Sequence, residues 1–129
     1  MYHFLSISWM EAYAAHCAQD ADLVKSLQGF NGLIEYGWIE APNPSVYLHI
    51  CNGLPQDITD SPAHKVTMRV HARADTWQRI YHRDISAKKA LLINELKFKG
   101  SMLKLIKYME PFNTTFRRMG DVPATFQGL

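Results

Sequence analysis

The feature that most constrains the fold is the strict alternation of apolar and polar residues over positions 65–72, which read Lys-Val-Thr-Met-Arg-Val-His-Ala. Successive side chains of a β-strand point to opposite faces of the sheet. The apolar set on one face is therefore Val66, Met68, Val70 and Ala72. Such a strand predicts a sheet with one buried and one wet side.

Other stretches predict further strands of the same sheet. Residues 33–40 and 45–51 alternate on either side of a turn at residues 41–44, and they predict a β-hairpin. Residues 96–99 alternate and stop at Gly100. The segment 53–64 is long for a bare loop, and residues 56–59 could supply a short extra strand.

A helix is predicted on the N-terminal side of these strands. It should begin at the capping box of Ser8 and Glu11 and run to about Leu27, with Gly29 at its C-terminal cap. Between the strands, Asp75 is predicted to cap a second helix, and Ser86 a third over residues 87–93.

Ser101 opens a last helix, which follows the last predicted strand. Pro111 lacks a backbone N–H, so we expect this helix to break or kink after Glu110. Pro111 could equally begin a new short helix that contains Phe112 and Phe116.

This order of elements predicts the α+β class, with helices packed on one face of a mostly antiparallel sheet. A length of 129 residues fits a single domain. Hydrophobic residues make up 47% and charged residues 20%, a balance that excludes a disordered chain.

A cytoplasmic location is predicted from what the sequence lacks. No apolar run approaches the roughly 18 residues of a membrane span, and the start of the chain has no basic segment of a signal peptide. Cys17 and Cys51 are too few for a disulfide framework and are expected to be free thiols.

The stretch from Val66 to Met109 resembles the sterol carrier protein type 2 family. The resemblance lies in residues 66–70, in the helix start at residues 74–77 with Ile80, and in residues 90–92 and 96–102. Residues 22–32 look similar to the passage from helix to first strand in small prokaryotic members, so about three quarters of the chain is covered.

The resemblance implies a single sterol carrier protein-like domain over residues 1–129, with residues 110–129 as a C-terminal extension. It implies a five-stranded sheet covered by helices on one side, with a hydrophobic tunnel between them for a fatty acyl chain, a sterol or a similar lipid. It also implies a protein that is not an enzyme and needs no cofactor.

The predicted walls of the tunnel are apolar residues of the later helices and the last strand. They are Trp77, Ile80, Tyr81, Leu91, Leu92, Phe98, Met102, Leu105, Ile106 and Met109. Phe112 and Phe116 could line the tunnel or could fill it and leave no cavity. An apolar stripe is equally what a solid core requires. The alternative interpretation is therefore a solid-cored interaction module that binds protein, most simply as a homodimer.

Basic residues are concentrated in the second half of the chain. Residues 79–118 carry a net charge of +7, whereas residues 1–78 carry −4. The lysines next to the predicted walls are Lys88, Lys89, Lys97, Lys99, Lys104 and Lys107. They suggest peripheral contact with an anionic membrane. Nucleic acid is not the predicted partner, because Phe98 belongs to the buried face and cannot serve as a stacking platform.

The sequence predicts neither a metal site nor a catalytic centre. His49, Cys51 and His71 could converge, but their spacing matches no zinc pattern and a fourth ligand is not evident. Nucleophile elbows, phosphate-binding glycine loops, zinc-protease motifs and dinucleotide fingerprints are missing. A residual enzyme hypothesis would use His49 as base and Cys51 as nucleophile.

Overall fold

The structure is a computed structural model that describes residues 2–40 and 43–127. Its centre is a five-stranded mixed sheet. The strands are β2 (Gly32–Trp38), β3 (Val46–Cys51), β4 (Leu54–Thr59), β5 (Met68–Ala72) and β6 (Leu96–Gly100). Their order in the sheet is β4-β3-β2-β5-β6. The central pair, β2 and β5, is parallel, and all other neighbours are antiparallel. The predicted α+β class with a mostly antiparallel sheet is confirmed.

The alternation in the sequence assigns the faces of the sheet correctly. Met68, Val70 and Ala72 of β5 are buried on the side that the helices cover. The neighbouring strands add Ile34, Tyr36, Trp38, Val46, Leu48 and Ile50 to this face. The predicted extra strand exists and is longer than expected, because it begins at Leu54. Residues 41 and 42 of the predicted hairpin turn lie outside the described residues.

The first predicted helix is two helices, α1 (Ile7–Ala18) and α2 (Ala21–Ser26). The predicted cap at Ser8 is wrong, because the Oγ atom of Ser6 accepts the hydrogen bond from Trp9 N at 3.1 Å. Asp20 interrupts the helix because its Oδ1 atom accepts from Leu23 N at 3.1 Å and so caps α2.

The N-cap residue of helix α3 (Ala74–Tyr81) is Arg73, whose side chain makes no cap, so the prediction that Asp75 is the cap is wrong. Asp75 lies inside the first turn, where its Oδ1 atom accepts from Thr76 N at 3.0 Å. The carboxylate of Glu40 instead accepts from Ala74 N, with Oε1 at 2.9 Å. The predicted caps of the next two helices are confirmed. Ser86 caps α4 (Ala87–Leu92), and Ser101 caps α5 (Met102–Lys107).

The last helix breaks at Tyr108, two residues before the predicted position. A new helix, α6 (Met109–Arg118), contains Phe112 and Phe116 as the alternative prediction proposed. Pro111 lies in its first turn, where a backbone N–H has no partner within the helix, so its missing donor costs no helical hydrogen bond.

The two ends of the chain are paired in a way that the sequence did not indicate. β1 (Tyr2–His3) runs parallel to β7 (Ala124–Thr125), which follows a short 3₁₀ helix at Met119–Asp121. Met119 and Val122 are buried in the core. The C-terminal segment thus contributes buried side chains to the core.

Candidate functional site

An apolar groove opens on the surface between α4, β6, α5 and the start of α6. Its volume is about 360 Å³. The apolar residues that line it are Leu91, Leu92, Leu96, Phe98, Met102, Leu105 and Met109. Lys88 and Asn94 complete the lining. The groove exists because β6 is an edge strand and the short helix α5 covers it only in part.

Two small cavities continue inward from the groove. The first, of about 30 Å³, shares Leu91, Phe98, Leu105 and Met109 with the groove and reaches the sheet at Tyr36. The second, also of about 30 Å³, lies between α1, α2 and the sheet. Ile34, Tyr36, Phe112 and Thr115 line both cavities and so form the partition between them.

The interior voids are too small for a lipid in this conformation. A dry cavity that holds benzene measures about 150 Å³, five times the volume of either inner cavity. The part of the chain that the structure describes thus contains a groove and two small inner cavities, but it does not show a continuous tunnel. Side chains of the partition and of the groove floor must move before a chain could extend inward.

The structure brings eight of the predicted wall residues together. Leu91, Leu92, Phe98, Met102, Leu105 and Met109 line the groove. Phe112 and Phe116 line the inner cavity, where both are buried. Phe116 thus stands at the inner cavity while also packing on the indole of Trp77, with ring centroids 6.1 Å apart.

Four predicted wall residues lie elsewhere. Trp77 is fully buried and donates its Nε1–H to the Gly37 carbonyl at 2.9 Å. The hydroxyl of Tyr81 donates to the Val122 carbonyl at 2.8 Å. The indole N–H and the phenol hydroxyl of such buried rings need hydrogen-bond partners, and these two have them. Both rings lie in the packed aromatic cluster around Phe4, away from the groove.

The other two predicted wall residues are on the surface or in a separate pocket. Ile80 lines a pocket of about 250 Å³ together with Arg83, Ile85, Ser86, Asn113 and Arg117. Ile106 is 67% exposed on the outer side of α5.

Sequence reasoning missed the contribution of the sheet to the cavity walls. Ile34, Tyr36, Met68 and Val70 form the sheet side of the first cavity. Their signal was present in the alternation that places Met68 and Val70 on the covered face. The second cavity is also lined by Cys17, which belongs to an apolar stripe of the first predicted helix, and by Tyr13, for which the sequence had no comparable signal.

The walls of the second cavity are electrically neutral at ordinary pH. Burial raises the pKa of Cys17 to about 11 and raises the pKa values of Tyr13 and Tyr36 well above their usual range. Tyr13 also donates its hydroxyl to the Thr115 carbonyl at 2.7 Å. These groups offer no charge to a bound molecule, so the interior favours apolar chemistry.

The uncovered face of the sheet carries a polar cluster around Glu35, which is buried. His71 Nε2 contacts its carboxylate directly, and Arg69 Nε lies 3.6 Å from Oε1. Burial and the hydrogen bond to Glu35 raise the pKa of Tyr47. His71 is thus held against the Glu35 carboxylate on the face opposite the groove.

The fold does not bring together His49, Cys51 and His71, the residues that were candidate metal ligands from the sequence. His49 Nδ1 lies 3.9 Å from Asp57 Oδ2, and Cys51 is exposed. Among residues 2–40 and 43–127, no three His, Cys, Asp or Glu side chains are placed to hold a metal ion. In the same residues no helix is long and apolar enough to cross a bilayer.

A five-stranded mixed sheet with helices on one face and an apolar groove at its edge defines the sterol carrier protein 2 type of fold. Sterol carrier protein 2 itself superposes with a TM-score of 0.82 at 17% identity, over 94% of this chain and 100% of that one. A conserved hypothetical protein from Thermus thermophilus gives a TM-score of 0.81 at 16% identity, over 97% of this chain and 93% of that one. The predicted resemblance is confirmed as a common fold.

The other comparisons set the limits of that likeness. An inverting sec-alkylsulfatase from Pseudomonas matches with a TM-score of 0.51 at 17% identity, over 67% of this chain but 14% of the enzyme. No protein-family model and no curated protein sequence matches the chain. The structural comparisons therefore establish the fold. At such low sequence identities they do not identify a ligand, which has to be inferred from the groove.

Proposed function

We propose that the protein binds one hydrophobic ligand, a fatty acyl chain, a sterol or a similar lipid, and carries it without chemical change. The groove between α4, β6 and α5 is the proposed site. The observation that carries the proposal is its continuity with the interior, because Leu91, Phe98 and Leu105 are walls of both the groove and the first cavity.

The size and chemistry of the groove support this assignment. Its volume of about 360 Å³ falls in the range of ligand sites. Each methylene group moved from water into such a site contributes about 0.8 kcal/mol. Association and ordering offset much of that gain, so we expect moderate affinity. Met102 and Met109 favour ligands of variable shape, because their unbranched side chains repack easily.

The charged residue of the lining suggests how a ligand would be oriented. Lys88 Nζ lies 3.4 Å from Glu110 Oε1, and both groups are at least half exposed. A ligand carboxylate at this end could replace Glu110 as the partner of the ammonium group while its chain lies along the apolar walls. A fatty acid with its head at Lys88 is thus the ligand class that the groove favours.

The proposal is tested by native mass spectrometry of the purified protein, followed by organic extraction, and by titration with a fluorescent fatty acid. Leu91→Trp should fill the groove and weaken fatty acid binding at least about tenfold. Leu54→Trp is the matched control, since Leu54 is exposed on β4, at the edge of the sheet opposite the groove, and the same indole there should leave binding unchanged. Equal binding by wild type and Leu91→Trp would refute the groove as the site.

A second candidate function is a solid-cored module that self-associates or binds another protein. The observation that favours it is the small size of the two inner cavities, together with apolar side chains exposed on α5. A dry homodimer in native mass spectrometry, with no extractable lipid, would support this alternative over the carrier.

We also propose a reducing, cytoplasmic compartment. Cys17 and Cys51 are both free thiols, and Cys51 is exposed. Exposed free thiols persist where glutathione and thioredoxin keep cysteines reduced.

A further inference from the structure

The helix α5 presents most of its apolar side chains to solvent. Leu103 is 83% exposed, Ile106 67% and Met102 57%, whereas Leu105 is buried. A surface helix of a globular protein normally turns its apolar stripe to the core and its polar residues outward. The outer side of α5 is therefore built for contact with something apolar.

Two neighbours extend this surface across the mouth of the groove. Leu92 and Ile93, at the end of α4, are 76% and 43% exposed. We call the five residues the apolar rim: Leu92, Ile93, Met102, Leu103 and Ile106. Leu92 and Met102 also line the groove, so the rim borders its opening. The other large apolar residues exposed in the described part of the chain are scattered at Tyr2, Ile7, Ile39 and Leu54.

The elements that carry the rim are strongly basic. Residues 87–107 hold six lysines and one acidic residue, Glu95, whose carboxylate accepts from Arg79 Nη1 at 2.8 Å. Lys89, Lys97, Lys99 and Lys107 are exposed. Within the described residues, no carboxylate lies within 4.0 Å of the ammonium groups of these four lysines. Their positive charge is thus available to a partner.

We propose that the apolar rim and these lysines dock the protein on the surface of an anionic lipid bilayer. The apolar side chains would enter the boundary between headgroups and acyl chains, and the lysines would reach the anionic headgroups. A second copy of this chain suits the surface less well, because a symmetric contact would bring the same lysines together. The docking goes beyond the proposed carrier function and requires no bound ligand.

The test is cosedimentation of the full chain with vesicles of phosphatidylcholine alone and of phosphatidylcholine mixed with phosphatidylglycerol. The double variant Leu103→Glu, Ile106→Glu should bind the anionic vesicles at least about tenfold more weakly. Leu54→Glu is the matched control, since Leu54 is 42% exposed on β4 at the opposite edge of the sheet. It should bind like the wild type.

The basic contribution is tested separately. Lys89→Gln and Lys107→Gln should each weaken binding about fivefold at low salt, while Lys25→Gln on α2 should not. Equal binding to neutral and anionic vesicles, or equal loss in the Leu54 control, would overturn the proposal. The proposal would also be overturned if the wild type were a dimer, the double variant a monomer, and neither of them bound vesicles.

Fatty acid titration without vesicles separates this proposal from the carrier function. The double variant should retain fatty acid binding, because neither substituted residue lines the groove. If the wild type binds vesicles but does not bind fatty acid, the carrier function is refuted and the proposed docking surface is not affected.

Discussion

Glu40 caps a helix that begins 34 residues later in the chain. Both of its carboxylate oxygens lie within 3.2 Å of Ala74 N, at the start of α3. Glu40→Ala should therefore lower the free energy of unfolding by about 1 kcal/mol, as measured by urea denaturation. Asp75→Ala is the comparison, since Asp75 is not the N-cap and its Oδ1 atom accepts from the neighbouring Thr76 N rather than from Ala74 N. A larger loss for Asp75→Ala than for Glu40→Ala would contradict this assignment.

Helix caps show which residue roles a sequence can reveal. Ser86 and Ser101 cap helices that follow them directly, so the local pattern was sufficient to predict both. Ser6 competes with Ser8 within the same few residues, and local pattern does not discriminate between them. Glu40 and Ala74 follow the ends of the neighbouring parallel strands β2 and β5, and no spacing rule connects the two residues.

Asp121 joins the C-terminal segment to α1 through His16 and to the turn after α3 through Arg83. Burial raises the pKa of Asp121, but the hydrogen bonds from His16 and Arg83 outweigh it and hold the pKa below its usual range. The ionised carboxylate therefore stabilises the folded state above the unfolded pKa of about 3.9. That stabilisation is lost as the pH falls through the lower, folded pKa.

Asp121→Asn should accordingly lower stability by about 1 kcal/mol at neutral pH, with the difference from wild type shrinking in acid. Urea denaturation over a series of pH values measures this. Asp60→Asn, at an exposed loop position, should leave the stability at neutral pH close to that of the wild type. A difference that stays constant into acid would mean that the carboxylate charge is not the stabilising feature.

The turn between β3 and β4 depends on Asn52 and Gly53, which both have positive φ angles, of 49° and 81°. A Cβ atom at Gly53 would lie 2.9 Å from the Leu27 backbone. Gly53→Ala should therefore destabilise the protein by at least about 1 kcal/mol, seen as a lower Tm. Asn52→Gly should cost less than Gly53→Ala, because glycine adopts the same φ freely and the change loses only the hydrogen bond that Asn52 Oδ1 accepts from Gly29 N at 2.7 Å. Equal Tm values for Gly53→Ala and wild type would contradict the strained-turn argument.

Elements were predictable where the signal was local. The Asn-Gly pair is a strong hairpin signal, and it could have placed the start of β4 at Leu54. The parallel pairing of β2 with β5 was not predictable, because alternation is the same for parallel and antiparallel neighbours. The break at Asp20 was hidden because apolar residues recur at helical spacing past it, at Met10, Ala14, Cys17, Ala21 and Val24.

At the scale of the molecule, the sequence could predict which residues belong to the apolar layer, but not which of them line a cavity. Trp77 and Met102 are both apolar residues of helices, yet Trp77 is fully buried and Met102 is 57% exposed at the groove. A void is the small difference between the space enclosed and the side-chain volume that fills it. Apolar patterning reports neither quantity, so eight of the twelve predicted wall residues lie at the groove or first cavity and four do not.

The C-terminal segment closes the whole structure. The Val122 carbonyl accepts from Trp9 Nε1 at 3.1 Å and from the Tyr81 hydroxyl at 2.8 Å, and Met119 is fully buried. Truncation after Arg118 should lower the free energy of unfolding by at least about 3 kcal/mol. Phe126→Ala should cost less, because it removes only one partly buried ring that stacks on Phe4. An unchanged urea midpoint after truncation would contradict this role.

The partition between the two inner cavities offers a test of how far a bound chain could extend. Phe112 lines both cavities, whereas Phe116 lines the first one only. Phe112→Leu should therefore join the cavities, and Phe116→Leu should enlarge the first without joining them. Each substitution should cost about 1 kcal/mol of stability, which the folded protein can lose without unfolding.

If the groove binds fatty acids as proposed, Phe112→Leu should raise the ratio of affinities for long over short chains in a fluorescence titration. Phe116→Leu should leave that ratio nearly unchanged. The same ratio in both variants would place the whole ligand outside the partition, in the groove itself.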